Sequence, residues 1–183
     1  MNSKSTCMKN IKFLRYSLFI VIFAVTTPMT YAQDSYADKV SSLDNILESL
    51  YGVISGEAGE KRDWDLFKHL FVEDARLIPI RKQQDGNVGP FFLAPADYVE
   101  RSGPYLEKNG FFEKEIHRVT ESFGHLTHVF STYESYRTSE DTEPFDRGIN
   151  SIQVMNDGER YWVVNISWVS ESEGFEIPAK YLP

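Results

Sequence analysis

Residues 145–168, FDRGINSIQVMNDGERYWVVNISW, constrain the fold of this chain more than any other segment. Two runs rich in β-branched and aromatic residues flank Asp157-Gly158, a dipeptide typical of two-residue hairpin turns. We therefore predict two long antiparallel strands joined by a turn at Asp157-Gly158.

Both faces of this predicted hairpin are largely apolar. A sheet with one wet face alternates between apolar and polar residues, so we expect both faces to be covered. Helices cover one face, and a second copy of the chain or the sheet's own curl covers the other. The face with the larger apolar area is assigned to the interior. With a two-residue turn, that face carries Trp162, Val164, Ile166 and Trp168, together with the polar residues Arg147, Ser151 and Gln153.

Buried polar side chains require hydrogen-bond partners. Arg147, Ser151 and Gln153 therefore pair with one another and with helix residues, or they point into a cavity that accepts a ligand. The sequence leaves both alternatives open.

The rest of the chain predicts elements that pack on this hairpin. Apolar residues at 43, 46, 47, 50, 51 and 54 recur with helical spacing. Asp63 is an N-cap candidate for a second helix, and Pro95 suits the first turn of a third. A hairpin at residues 75–93 separates these two helices, and only strands follow Phe111. Helices followed by a meander of strands indicate an α+β layer fold.

The first 32 residues have the pattern of a secretory signal peptide. A basic segment without acidic residues precedes SLFIVIFAV, an apolar run too short to span a bilayer. Thr30-Tyr31-Ala32 then offers a small-x-small cleavage site. We predict cleavage after Ala32 and a secreted or periplasmic protein. Residues 33–170 would form one domain, and residues 171–183 a C-terminal tail that folds back on it.

The predicted mature chain is strongly acidic. Removal of the leader would leave 15 Lys and Arg against 27 Asp and Glu, a formal charge of −12, and no cysteine. Such a charge argues against nucleic acid as a partner, and against a membrane surface after signal cleavage.

The histidines sit around a second predicted hairpin at Phe123-Gly124. With an even-numbered loop, His117, Glu121 and His128 share one face, whereas an odd-numbered loop moves one strand to the other face. His128 with Glu121 could form an acid–base pair, but we favour a His128 that is satisfied by a neighbouring hydroxyl or carboxylate. Zinc needs three or four convergent ligands, so we predict no metal site.

The element order resembles the SnoaL-like branch of the NTF2-like superfamily. The resemblance covers residues 41–168 and rests on RDWDLFKHLF (62–71), HLTHVFSTYES (125–135) and RGINSIQV…YWVVNISW. It implies a cone in which three N-terminal helices pack in a strongly bent mixed or antiparallel sheet, with a pocket at the wide end. The superfamily includes isomerases, dehydratases, polyketide cyclases and non-catalytic binding domains, so the fold does not fix the function.

No catalytic constellation of that superfamily is complete in this sequence. We therefore predict a domain that binds a small, mostly apolar molecule without a cofactor and forms a homodimer through the sheet. The first alternative is a cofactor-independent lyase, isomerase or cyclase with His128 as general base and Tyr51 or Arg147 as polariser. The second is a structural dimerisation domain. The predicted pocket consists of Tyr51, Trp64, His128, Arg147, Ser151, Gln153 and Trp168.

Overall fold

The structure is a computed structural model that describes residues 36–183. The predicted signal peptide and its cleavage site lie outside the described residues. No helix within residues 36–183 is long and apolar enough to cross a membrane. The helices are α1 (Leu43–Ile54), α2 (Trp64–His69) and α3 (Pro95–Asn109), and the strands are β1 (Phe71–Lys82), β2 (Val88–Pro90), β3 (Phe112–Phe123), β4 (Leu126–Tyr136), β5 (Asp146–Asn156) and β6 (Tyr161–Ser170).

The six strands form one open, mixed sheet in the order β2-β1-β6-β5-β4-β3. Strand β1 runs parallel to β6, and every other neighbouring pair is antiparallel. The helices pack against one face, which we call the inner face. The predicted α+β fold is confirmed.

Side-chain caps and an apolar stripe stabilise the first two helices. Ser42 Oγ caps α1 by accepting from the backbone N–H of Asn45 at 3.1 Å. Asp63 caps α2 by accepting from Leu66 N at 2.8 Å. The apolar stripe of α1 is buried against the middle strands, in a core that includes Ile46, Leu47, Leu50, Val129, Ile152, Val154 and Val163.

The β5–β6 connection differs from the predicted two-residue turn. Asn156 pairs with Tyr161, so the connection has four residues. The side chain of Asp157 accepts from the N–H groups of Glu159 and Arg160 at 2.9 and 2.8 Å. An aspartate that bonds its own following backbone favours this longer turn.

A β-bulge in β6 separates residues that a regular strand would place on one face. The β5–β6 register shifts so that Val163 pairs with Val154, whereas Asn165 pairs with Gln153. Val164 is therefore an extra residue between the two pairs. Beyond it, side chains that would point outward point inward.

This bulge makes the predicted assignment of faces wrong in part. Ile166 and Trp168 lie on the inner face as expected, but Trp162 lies on the outer face. The polar residues Arg147, Ser151 and Gln153 also lie on the outer face. The prediction assumed a regular strand, and the inserted residue reverses the faces.

The β3–β4 hairpin contains a second bulge. Phe123 pairs with Leu126, so the loop is even-numbered, and His117, Glu121 and His128 share a face as predicted for that register. This face is the outer one. Glu115 pairs with Tyr133 but His117 pairs with Thr132, so the register shift divides β3. Before it Glu113 and Glu115 point inward, and after it His117 points outward.

The C-terminal segment lies on the outer face of the sheet. Ile177 is buried, the ring of Tyr181 contacts Phe130 at 4.9 Å, and Thr132 Oγ1 donates to the carbonyl of Tyr181 at 2.7 Å. Arg147 Nε bonds Glu171 Oε2 at 2.8 Å where the segment leaves β6. These contacts cover part of a sheet face that would otherwise expose apolar side chains.

Candidate functional site

A pocket of about 510 Å3 lies between the helices and the inner face of the sheet. Its walls are mainly apolar and aromatic, with Leu50, Phe67, Tyr98, Phe111, Ile166 and Trp168 among the lining residues. We call it the cone pocket. Its size and lining are those of small-molecule sites in proteins.

A glutamate is the main polar group of the cone pocket. Ser135 Oγ donates to Glu113 Oε2 at 3.2 Å, and the amide of Asn150 donates to the same carboxylate. Burial raises the pKa of Glu113 to about 7, an effect that these two hydrogen bonds oppose and that the nearby charge of Asp146 increases. Glu113 is therefore poised to exchange a proton near neutral pH.

A directed chain of hydrogen bonds adjoins this carboxylate. Asn150 Nδ2 donates to the hydroxyl of Tyr51 at 3.1 Å, and the Tyr51 oxygen lies 2.7 Å from Ser131 Oγ. Ser131 donates its single proton to Glu115, whose carboxylate is paired with Arg118 at 2.8 Å and accepts only. Tyr51 must therefore donate to Ser131, and its proton is not available to a ligand.

Two further tyrosines line the cone pocket near Glu113. Burial raises the pKa of Tyr98 and of Tyr133, and the charge of Glu113 adds to the rise. Both phenols are consequently neutral at physiological pH. Gly148 makes room for Tyr133, since a Cβ at that glycine would lie 2.5 Å from the tyrosine oxygen.

Two of the seven predicted pocket residues line the cone pocket, namely Tyr51 and Trp168. Trp64 instead packs between α2 and α3. Its Nε1 donates to Glu107 Oε1 at 2.8 Å, and its ring contacts Phe67 edge-on at 5.8 Å. It supports the core behind the pocket wall.

The other four predicted residues lie on the outer face. His128 Nε2 and Ser151 Oγ are 3.0 Å apart, and Glu121 and Gln153 lie directly across from His128 on the neighbouring strands. Arg147 binds Glu171. The sheet separates all four residues from the cone pocket, so His128 does not meet Tyr51 there.

Glu113, Ser135 and Asn150 were not among the residues predicted for the pocket. In a regular β3, Glu113 would lie on the same face as His117. In a regular β6, the face of β5 that carries Asn150 would be assigned to the outside of the sheet. The two bulges bring Glu113, Ser135 and Asn150 to one face, and the sequence pattern does not reveal these bulges. The one available hint was a pair of alternating glutamates, at 113 and 115, in a strand that follows a helix.

No group of three or more His, Cys, Asp or Glu side chains within residues 36–183 is arranged to hold a metal ion. The polar groups that line the cone pocket are the carboxyl groups of Glu113 and Asp146, the guanidinium group of Arg101, and several phenol, hydroxyl and amide groups.

No protein-family model and no curated protein matches this sequence. Several solved structures do match its fold. The β subunit of a benzoate 1,2-dioxygenase from Burkholderia mallei is 14% identical over 77% of this chain and 97% of that chain, with a TM-score of 0.50. A Nostoc punctiforme protein of unknown function with a cystatin-like fold is 11% identical over 78% and 96%, with a TM-score of 0.50.

A third match is an NTF-2-like protein of unknown function from Silicibacter pomeroyi, 10% identical over 70% of this chain and 92% of that chain, with a TM-score of 0.46. The chain has the NTF2-like fold. The three helices and the six-stranded mixed sheet agree with the predicted fold. At these identities the NTF2-like fold is all that the matches share with this chain, so its function has to be argued from its own pocket.

Proposed function

We propose that this domain binds a small molecule in the cone pocket. The apolar rings of the ligand would lie against the aromatic walls, and a hydrogen-bond donor of the ligand would bind to the carboxylate of Glu113. The observation that supports this is the Glu113 carboxyl, which lies in an apolar pocket and is oriented by Ser135 and Asn150. Two protein donors do not saturate a carboxylate that can accept about four hydrogen bonds. A ligand hydroxyl or amine would take one of the remaining positions.

The shape and lining of the pocket favour a planar, cyclic ligand. A volume of about 510 Å3 accommodates two or three fused rings, on the scale of roughly 300–1,000 Å3 for small-molecule sites. Tyr98 and Trp168 can pack on the faces or edges of such rings. Tyr51 supports the site by ordering Asn150 rather than by contacting the ligand through its proton.

Calorimetric titration with 2-naphthol tests this proposal, because the probe combines a fused-ring body with one hydroxyl donor. We expect one binding site per chain. The Glu113→Gln variant should bind 2-naphthol roughly fivefold more weakly than the wild type, since a charged acceptor becomes neutral. Glu121→Gln is the matched control, because Glu121 is exposed on the outer face of the same strand. A lack of saturable binding, or an equal effect of both substitutions, would contradict the proposal.

A second candidate is proton transfer by Glu113 in an isomerase-type reaction. The raised pKa of Glu113 supports it, since a general base works best when its pKa lies near the working pH. Ionised Glu113 would take a proton from a carbon next to a ketone, and the C–H electron pair would pass to the carbonyl oxygen. The neutral phenols of Tyr98 and Tyr133 line the same pocket and can donate to that oxygen. This role replaces the one predicted for His128.

Deuterium exchange into 2-tetralone, followed by NMR, tests the second candidate. Catalysed exchange should rise with pH around 7 and fall at least about a hundredfold in Glu113→Gln, the lower end of the usual contribution of a general base. His128→Gln should leave it unchanged. Exchange no faster than in buffer would rule out proton transfer by Glu113 and leave ligand binding as the proposed function.

Two further expectations from the sequence remain proposals. We propose that the chain is exported, with cleavage after Ala32, and N-terminal sequencing of protein from the periplasm or medium tests this directly.

We also propose a homodimer through the outer face. Val119, Phe123 and Leu126, near the β3–β4 turn, have 41%, 90% and 53% of their surface exposed, and the C-terminal segment contacts the sheet elsewhere.

A further inference from the structure

A second hollow of about 390 Å3 adjoins the cone pocket. The two share four lining residues, Tyr98, Arg101, Ser102 and Trp168. Because α3 and the end of β6 form this common wall, the hollow is an extension of the cone pocket toward the surface. We call it the mouth of the cone pocket.

Two arginines from different elements line this mouth, and both lie beside the ring of Phe91. The guanidinium carbon of Arg81, in β1, lies 5.9 Å from the centre of the Phe91 ring, and that of Arg101, in α3, lies 5.4 Å from it. Within residues 36–183, neither has a carboxylate oxygen within 4.0 Å. By contrast, Arg118 is paired with Asp44 and with Glu115.

This arrangement suits an anion. In a domain with an excess of acidic residues, two guanidinium groups without carboxylate partners converge on one ring and leave their donors unused. Guanidinium groups bind carboxylate, sulfonate and phosphate oxygens through paired N–H donors. The Ser102 hydroxyl, at the junction of the hollow with the cone pocket, adds a neutral donor.

We infer that the ligand of the cone pocket carries an anionic group that binds at Arg81 and Arg101. This inference rests on the proposed function and adds the chemical class of the ligand, an amphipathic anion. Glu113 would repel an anionic group from the inner part of the pocket. The anion therefore lies at the mouth, and the hydrogen-bond donor of the ligand lies at Glu113.

Glu173 is the one carboxylate among the described residues that line the mouth. Its Oε2 accepts from the backbone N–H of Lys82 at 2.9 Å. A glutamine could keep that bond through its amide oxygen but would lack the charge. Glu173→Gln should therefore strengthen anion binding, whereas loss of either arginine should weaken it.

The test compares 2-naphthol with 6-hydroxy-2-naphthoate, which adds a carboxylate to the same ring system and hydroxyl. We expect the full chain to bind the carboxylate roughly tenfold more tightly, with an advantage that shrinks as NaCl is added. Arg81→Gln and Arg101→Gln should each reduce this affinity about threefold, as for exposed charge pairs. Glu173→Gln should raise it about twofold. 6-Hydroxynaphthalene-2-sulfonate and 6-hydroxy-2-naphthyl phosphate distinguish which anion binds best.

Arg76→Gln and Lys108→Gln are the matched controls. They remove the same charge from β1 and α3 at exposed positions that do not line the mouth, and they should leave every affinity unchanged. Equal binding of 2-naphthol and its carboxylate in all variants would overturn the inference and leave the proposed function standing. Binding of neither probe would overturn both. An equal loss in the mouth and control variants would show a general charge effect and overturn the inference alone.

Discussion

Asn150 Nδ2 donates a hydrogen bond to the hydroxyl oxygen of Tyr51 at 3.1 Å, and so joins β5 to α1 in the middle of the fold. Because Asn150 also donates to Glu113, its amide group connects the hydrogen-bond chain of Tyr51 with the carboxyl group of the cone pocket. The orientation of Glu113 thus depends on residues from α1, β4 and β5.

Tyr51→Phe tests the direction assigned to this chain. The substitution removes a partner from Asn150 and from Ser131, both buried, and should destabilise the fold by about 1–3 kcal/mol in urea denaturation. It should weaken the binding of 2-naphthol less than Glu113→Gln does, because the tyrosine proton is bound to Ser131 and Tyr51 acts on the ligand only through Asn150. A loss of affinity in a well-folded Tyr51→Phe variant that is larger than the loss in Glu113→Gln would show that this hydroxyl contacts the ligand. The control is Tyr181→Phe, a tyrosine that lies against Phe130 on the outer face and does not line the cone pocket.

Glu113 should make the stability of the domain depend on pH. Its folded-state pKa is raised from 4.5 to about 7, so between these values the native state binds more protons than the unfolded state. Stability is then lost as pH rises from about 4.5 to 7, by about 3 kcal/mol at most. Urea midpoints measured across this range should fall less in Glu113→Gln than in the wild type. Glu121→Gln should behave like the wild type, and an identical pH profile for all three proteins would refute the assignment.

Gly148 is required by the close approach of β6 and Tyr133 to β5. A Cβ at this position would lie 2.5 Å from the Tyr133 oxygen and closer still to the backbone oxygen of Val169. Gly148→Ala should destabilise the domain by at least about 1–3 kcal/mol, the usual cost of overpacking, since the contact with backbone cannot be relieved by a rotamer change. Gly52→Ala is the control, because the space beside that helical glycine is open. Alanine at this position should increase the free energy of unfolding by about 1 kcal/mol. Thermal unfolding should show a lower midpoint for Gly148→Ala and a higher one for Gly52→Ala. An unchanged midpoint for Gly148→Ala would contradict the close approach of Tyr133 and β6 to Gly148.

The helices and the sequence of elements along the chain could be predicted because their determinants are local. The stripe of α1, the Asp63 cap and the proline at the start of α3 act within a few residues of one another. The faces of the strands could not be predicted with equal success. A bulge at Val164 or between Glu115 and His117 depends on how the paired strands pack in the folded sheet. One inserted residue reverses every side chain beyond it.

The residues of the candidate site could be predicted only in part, because the two bulges decide which strand residues face the cone pocket. Tyr51 and Trp168 line the cone pocket, because Tyr51 lies on the apolar stripe of α1 and Trp168 lies beyond the bulge that turns it inward. His128 was chosen for its chemistry, and its strand places it on the outer face. Glu113 has less distinctive chemistry in the sequence and gains its character from burial, which only the folded chain shows.

The outer face should mediate self-association. If the chain forms a homodimer there, light scattering should give the mass of two chains, and Phe123→Ser should shift the population toward one chain by removing about 1.5–3 kcal/mol of apolar burial. Phe92→Ser is the control, since Phe92 is 61% exposed but lies between β2 and α3, away from that face. A mass of one chain for the wild type at all concentrations would contradict the dimer.

The carboxyl group of Glu113 gives the most direct test of ligand binding in the cone pocket. Glutamate labelled with carbon-13 at the side-chain carboxyl makes each glutamate visible by NMR, and the Glu113→Gln variant identifies the resonance of Glu113. We predict that this resonance titrates with a pKa of about 7 and that saturating 2-naphthol lowers this pKa, because a donated hydrogen bond stabilises the carboxylate. A pKa near 4.5 that 2-naphthol does not change would contradict the account.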